Sequence, residues 1–195
     1  DVETTGLDAE RDRVIEVAWV VFEDGMVTDT ASHLVRPDRS IPGPVSRLTG
    51  LTDGLLAQAG TFADAFSALA PALESAAFVV AYNARFDRSF LVREAMRIDR
   101  GLNDTPWVDP LVLLRNVEDR GNRFTLGEAA TRWGLRFSRG HRALPDAQTA
   151  GQLLLRIAPF VPAGSVSELL QTQRRWQDQS RARREQRRKE RQGKE

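Results

Sequence analysis

The sequence predicts an α/β fold, a mixed sheet with helices on both faces, and three observations predict it. A β-branched and aromatic run, VIEVAWVVF at residues 14–22, is followed by Asp24-Gly25 and a second strand-like stretch, MVTDTASHLV, so residues 13–36 read as an antiparallel hairpin. A continuous apolar run of strand length, AFVVAY at residues 77–82, matches a strand buried on both faces. Between and after these runs, segments with helical spacing alternate with short strand signals, the order that builds a sheet covered on both sides.

The other elements follow in chain order. Asp1 to Gly6 (DVETTG) reads as the end of a strand running into a turn, and the expectation is that the strand's apolar body, upstream of Asp1, is missing. Pro37 ends the hairpin, and Pro42 and Pro44 predict an irregular connection. Thr61, with Asp64 three residues on, starts a helix in which Phe62, Ala65, Phe66, Leu69 and Leu73 share a face, and Pro71 is expected to kink or shorten it. A helix over 86–97, a short strand near 107–109 and helices over 110–117, 125–133 and 145–157 complete the body, the last opened by Pro145. From Pro162 onward Gln, Arg and Glu dominate, with apolar surface only at Val166, Leu169, Leu170 and Trp176. The expected division is one domain over 1–160 and a polar, basic tail over 161–195, helical or disordered.

Composition bounds the function. At 195 residues and 41% hydrophobic content the chain can build one well-packed core. The absence of cysteine excludes disulfides and thiolate metal sites, so a metal must sit on oxygen or imidazole ligands, which favours hard ions such as Mg²⁺ or Mn²⁺. No apolar segment approaches the roughly 20 residues of a membrane helix, and a soluble, cytoplasmic protein is the expectation. The net charge of +1 conceals an asymmetry: residues 173–195 hold ten Lys or Arg against four Asp or Glu, a net +6, leaving 18 against 23, a net −5, for the body.

In a sheet of this class ligands collect where strand ends meet helix starts, so acids at the ends of apolar runs are the candidates. Asp1 and Glu3 alternate on a strand, which puts their carboxylates on one face about 6 to 7 Å apart, and Thr-Thr-Gly follows with a turn that a phosphate or ion can approach. Asp87 lies just after the apolar run 77–82, at the start of a helix; it suits the helix dipole there, with Asn83 the alternative cap. In GHRALPDAQTA, residues 140–150, His141 follows Gly140 in a loop and Asp146 falls in the first turn of the next helix, which pairs a base with an acid. His33 reads as an ordinary surface residue.

Together, D-x-E-T-T-G, N-A-x-F-D and H-R-A-x-x-D-A, in this order, resemble the DEDDh family of 3′–5′ exonucleases, and within it the proofreading epsilon subunit of bacterial DNA polymerase III and its stand-alone relatives. RLTGLTDGLLAQAGTF, VDPLVLLR and NRFTLGEAATRWGL add to the likeness, which covers residues 1 to about 158. The resemblance implies a ribonuclease H-like fold, a mixed five-stranded sheet flanked by helices. It implies that Asp1, Glu3, Asp87 and Asp146 hold two divalent cations, Mg²⁺ or Mn²⁺, while His141 deprotonates the attacking water, and that nucleoside 5′-monophosphates leave from a 3′ end. Thr4, Thr5 and Leu7 then lie where the family places its terminal nucleotide, Leu7 as a wedge against the base, with Asn83, Phe86 and Thr49 as further substrate positions. Tyr82 and Thr49 stand where related proteins have histidine, and neither touches a metal ligand; Pro145 precedes the last acid, where proline suits the first helical turn.

The partner this implies is single-stranded or 3′-frayed DNA, with polymerase association as an option and no membrane. An RNA-trimming enzyme of the same superfamily and an inert nucleic-acid-binding module are the alternatives. The basic tail reads either as a solvated segment or as a grip on the phosphate backbone.

Overall fold

The computed structural model describes residues 1–118, 124–137 and 141–192. The expected hairpin is present as β2 (Val14–Glu23) and β3 (Met26–Leu34), turned by Asp24 and Gly25, both at positive φ. The short strand β1 (Val2–Thr4) pairs antiparallel with the first half of β2, and Asp1 continues that ladder by exchanging backbone hydrogen bonds with Ala18. A bulge between Glu3 and Thr4 shifts the register, and it leaves Glu3 directly opposite Glu16.

Two short helices, α1 (Gly43–Thr49) and α2 (Asp53–Leu56), occupy the connection expected to be irregular. Pro44 fits because its ring sits in the first turn of α1, where its missing N–H has no partner to lose. Helix α3 (Phe62–Ser75) starts with a reciprocal capping box between Thr61 and Asp64, as expected, but it runs through Pro71 for another turn. Pro71 is exposed, so the lost backbone bond lies toward water, while Leu73 beyond it is buried and anchors the last turn.

Strand β4 (Val79–Val80) is shorter than the run 77–82 and only half-buried, which corrects the expectation of a strand covered on both faces. It pairs in parallel with β5 (Trp107–Val108). Among the described residues the strands form a three-stranded antiparallel sheet and a two-stranded parallel one, not a single hydrogen-bonded sheet of five. A cavity of about 410 Å³ is lined by residues near both sheets, among them Trp19, Val21 and Val79, together with Leu73, Leu91 and Leu154.

Helix α4 (Arg85–Arg97) follows β4; α5 (Pro110–Val117) follows β5 and is capped by Asp109; α6 (Leu126–Arg132) has a second capping box, between Thr125 and Glu128. Helix α7 (Ala143–Ile157) begins two residues before Pro145, which therefore sits inside its first turn rather than opening it. The chain closes with α8 (Val166–Gln192), so the described part of the tail is helical.

Helices α3 and α4 cover one core, built on Val2, Val14, Val17, Phe66 and Phe90, and α5 to α8 pack around a second one at Val108, Leu113, Leu153 and Ile157. Because side chains alternate along a strand, Val2 and Val17 facing the first core turn Glu3 and Glu16 to the opposite face, toward α7. None of the helices among the described residues is long and apolar enough to cross a membrane.

Candidate active site

Three of the four expected acids meet. Carboxylate oxygens of Asp1, Glu3 and Asp146 lie within 4.8 Å of one another, brought together by β1 and the first turn of α7. Asp87, in the first turn of α4, is 3% exposed and accepts the Val2 N–H through Oδ1 at 3.1 Å, which ties α4 to the strand between Asp1 and Glu3.

The electrostatics are those of crowded, poorly solvated carboxylates. Burial, reinforced by Asp146, Glu16 and Asp87, pushes the Glu3 carboxyl up to about 8. Burial likewise pushes Asp146 up to about 6, with the His141 charge pulling the other way, and it raises Asp87. Among the described residues no Lys or Arg forms an ion pair with any of these four acids, and Asp146 Oδ1 is buried without a hydrogen-bond partner. Clustered carboxylates with an orphaned, inward oxygen fit a hard divalent cation, whose charge would remove both defects.

His141 is exposed and adopts φ +37°, in the left-handed region; Gly140 before it lies outside the described residues. Its charge is close enough to act on Asp146. Leu7, 88% exposed on the turn after β1, is a large apolar side chain offered to solvent. Gly6 is required in that turn, since a Cβ there would meet the Asp12 carboxylate at 2.3 Å.

Other expected positions fare differently. Thr4 and Thr5 are buried and their hydroxyls bond within the turn, Thr4 to the Gly6 carbonyl and Thr5 to Asp12 and the Arg13 N–H, so what the turn offers outward is backbone. Thr49 is 4% exposed, and its hydroxyl donates to the Val45 carbonyl and accepts the Leu51 N–H, so its side chain is engaged within the fold. Phe86 packs on the first core with its ring 4.8 Å from that of Phe90. Asn83 is exposed at φ +64° and does not cap α4 with its side chain.

Two supporting acids were missed in the sequence. Asp109 accepts the N–H groups of Asn83, Ala84 and Leu111, so one carboxylate fixes the turn from which α4 delivers Asp87 and also caps α5. Glu16, 1% exposed in β2, is bridged by Arg142 at the start of α7. Burial opposes its ionisation, yet Arg142, Ser32 and the Ala143 N–H together hold it below the usual carboxylate range. The available signal was an acid inside a β-branched run, V-I-E-V, which requires a buried partner.

An α/β frame that gathers carboxylates at strand and helix ends, with a histidine whose charge reaches one of them, is an arrangement suited to hydrolytic chemistry. Over residues 1–154 the chain matches the RNase_T exonuclease family, and it belongs to that family. It is 33% identical over 155 residues to the DNA polymerase III subunit epsilon of Treponema pallidum, covering 78% of this chain and 72% of that protein. It is 31% identical over 172 residues to the PolC-type DNA polymerase III of Thermotoga petrophila, 87% of this chain but 12% of the polymerase's length. It is 32% identical over 158 residues to the 3′–5′ exonuclease DinG of Bacillus subtilis, 80% of this chain and 17% of that protein. Among solved structures, Exonuclease X in complex with 5′ overhanging duplex DNA superposes with a TM-score of 0.68 at 26% identity, covering 89% of this chain and 96% of the other. The nuclease domain of 3′hExo, a DEDDh family member, superposes at 0.71 with 18% identity over 82% of this chain and 89% of that one, a likeness of fold. The chain thus carries an exonuclease domain, the family its three motifs implied.

Proposed function

We propose that the protein is a divalent-metal-dependent 3′–5′ exonuclease that removes nucleoside 5′-monophosphates from the 3′ end of single-stranded or frayed DNA. The observation that carries this reading is the carboxylate cluster of Asp1, Glu3 and Asp146, in which one Asp146 oxygen is buried without a hydrogen-bond partner. Asp1, Glu3, Asp87 and Asp146 would hold Mg²⁺ or Mn²⁺ ions, which when bound supply the charge stabilisation that in-line displacement at phosphorus requires. His141 takes the proton of the attacking water, a task suited to an exposed imidazole whose loop can meet the substrate. Leu7 stands against the terminal base, and the turn after β1 presents backbone to the terminal sugar, with Asn83 at the rim.

The same reading takes residues 1–160 as the exonuclease unit and the rest as an appended tail. It treats the two small sheets as parts of one five-stranded, ribonuclease H-like arrangement, supported by the cavity that residues of both β2 and β4 line. DNA as substrate is supported by the duplex DNA named with Exonuclease X, and work beside a polymerase by the polymerase relatives; both imply a cytoplasmic setting.

The test is a time course on 5′-labelled DNA and RNA oligonucleotides, single-stranded and 3′-mismatched, with Mg²⁺, Mn²⁺ or EDTA. A metal-dependent ladder shortening from the 3′ end, faster on DNA, is expected. A faster RNA ladder would make it an RNA-trimming enzyme, and binding with no ladder under any condition would make it an inert tether.

A further inference from the structure

Glu16 is a buried acid to which the hydrolytic scheme gives no task. Its carboxylate collects four hydrogen bonds from three residues in two parts of the chain. Oε1 accepts from Ser32 Oγ at 2.8 Å and Arg142 Nη2 at 2.9 Å; Oε2 accepts from Arg142 Nε at 2.9 Å and the Ala143 N–H at 3.2 Å. With both oxygens saturated and a guanidinium paired to it, Glu16 has nothing to offer a cation, although it stands opposite Glu3.

What the four bonds do is hold the start of α7. That helix has no side-chain cap of its own, and the N–H of its first residue, Ala143, is satisfied by Glu16 from across the sheet. The residue before Arg142 is His141, whose φ of +37° is one that side chains other than glycine rarely adopt. Such a conformation persists only where its surroundings over-determine it. A bidentate ion pair on the next residue and a backbone bond on the one after supply that determination.

We propose that Glu16, acting through Arg142, is a positioning residue that fixes the backbone at His141 and so aims the imidazole at its water. This rests on the role of His141 as base given above. Neither residue touches the reacting atoms; the pair works on geometry, which is where misplacement by about an ångström lowers rates about a hundredfold.

The test uses Arg142→Ala, chosen because the Arg142 side chain is 43% exposed, and Glu16→Gln, which keeps the shape of the acid. In the otherwise native protein each should lower kcat roughly 10- to 100-fold, the usual effect of losing a residue that orients a catalytic group. In a His141→Ala background the same changes should cost less than about threefold, because no base remains to be misplaced. Backbone amide exchange at Ala143 in metal-free protein gives a second readout: protection should be lost in Glu16→Gln and kept in His141→Ala. Equal losses in both backgrounds would overturn the proposal, since the clamp would then serve the fold or Asp146. A native rate in Arg142→Ala, or retained protection at Ala143 in Glu16→Gln, would overturn it as well. If the native protein hydrolyses nothing, the functional reading falls, and the Ala143 exchange alone still decides whether Glu16 holds the loop.

Discussion

At the scale of single residues, the site is recognised by what its side chains lack. Asp146 keeps a buried oxygen without a partner, so replacing it with Ala should abolish turnover and weaken Mn²⁺ binding, and Asp87→Ala should do the same; a fully active variant would sink the metal assignment. His141→Ala should lower kcat roughly 10² to 10⁴-fold with Mn²⁺ affinity intact, and a collapse of affinity would make His141 a ligand. Protonation gives a third expectation. Glu3 is raised from 4.5 to about 8, so the metal-free fold binds a proton that the unfolded chain has released; that stability is present below about 4.5 and is lost as pH rises through about 8. The metal-free melting temperature should therefore fall across this window, and saturating Mn²⁺ should flatten the decline; a metal-free curve that rises instead would refute the burial of Glu3 as a cost. The acids and His141 were legible because each sits beside a turn or helix start that makes its place unusual. Glu16 and Asp109 were not, because their significance lies in backbone donors brought in from distant segments, Arg142 and Ala143 for one and Asn83 and Ala84 for the other. The engagement of the Thr49 hydroxyl was not legible, because sequence does not reveal a bond to a carbonyl one turn back.

At the scale of elements, local chemistry wrote most of the fold plainly. The hairpin, the helix starts at Thr61 and Thr125 and the boundaries of α5 follow from turn residues, caps and a proline in the first helical turn. The short helices α1 and α2 were not legible, since Leu51 and Leu56 are held by burial in a small third core rather than by any periodicity. The length of β4 was not legible either, because an apolar run does not say which of its residues will find a hydrogen-bonding neighbour. Helix α7 meets β2 at Gly151, where an added Cβ would run into the Phe22 ring. Alanine would raise helix propensity, but the clash must be relieved by moving the ring or the helix that carries Asp146. Gly151→Ala should destabilise by about 1 to 3 kcal/mol, the scale of overpacking, measured by denaturant midpoint. An unchanged or raised midpoint would mean that Phe22 swings into the neighbouring cavity at little cost.

At the scale of the whole molecule, α8 divides by what it touches. Its first turns belong to the body: Leu169 and Trp176 join the second core, and Gln173 hydrogen-bonds the β5 edge twice, accepting the Asp109 N–H at 2.7 Å and donating to the Trp107 carbonyl at 2.9 Å. Beyond Trp176 every described side chain of the helix is exposed. Residues 177–195 carry eight Lys or Arg against four acids, and without them the net charge moves from +1 to −3. An acidic body that must accept a polyanion gains from such an arm, because each phosphate it neutralises releases a counterion. Deleting 177–195 should leave the melting temperature and the kcat at saturating substrate unchanged, while weakening binding of a single-stranded oligonucleotide at low salt and making its salt dependence shallower. Deleting 166–195 should in addition lower the melting temperature, because it removes Gln173 from Asp109 and uncovers the second core. Equal affinity and equal salt slope for the full chain and the 177–195 deletion would show that the exposed half of α8 is only a solvated helix, and that the acidic body meets its substrate by the bound cations alone.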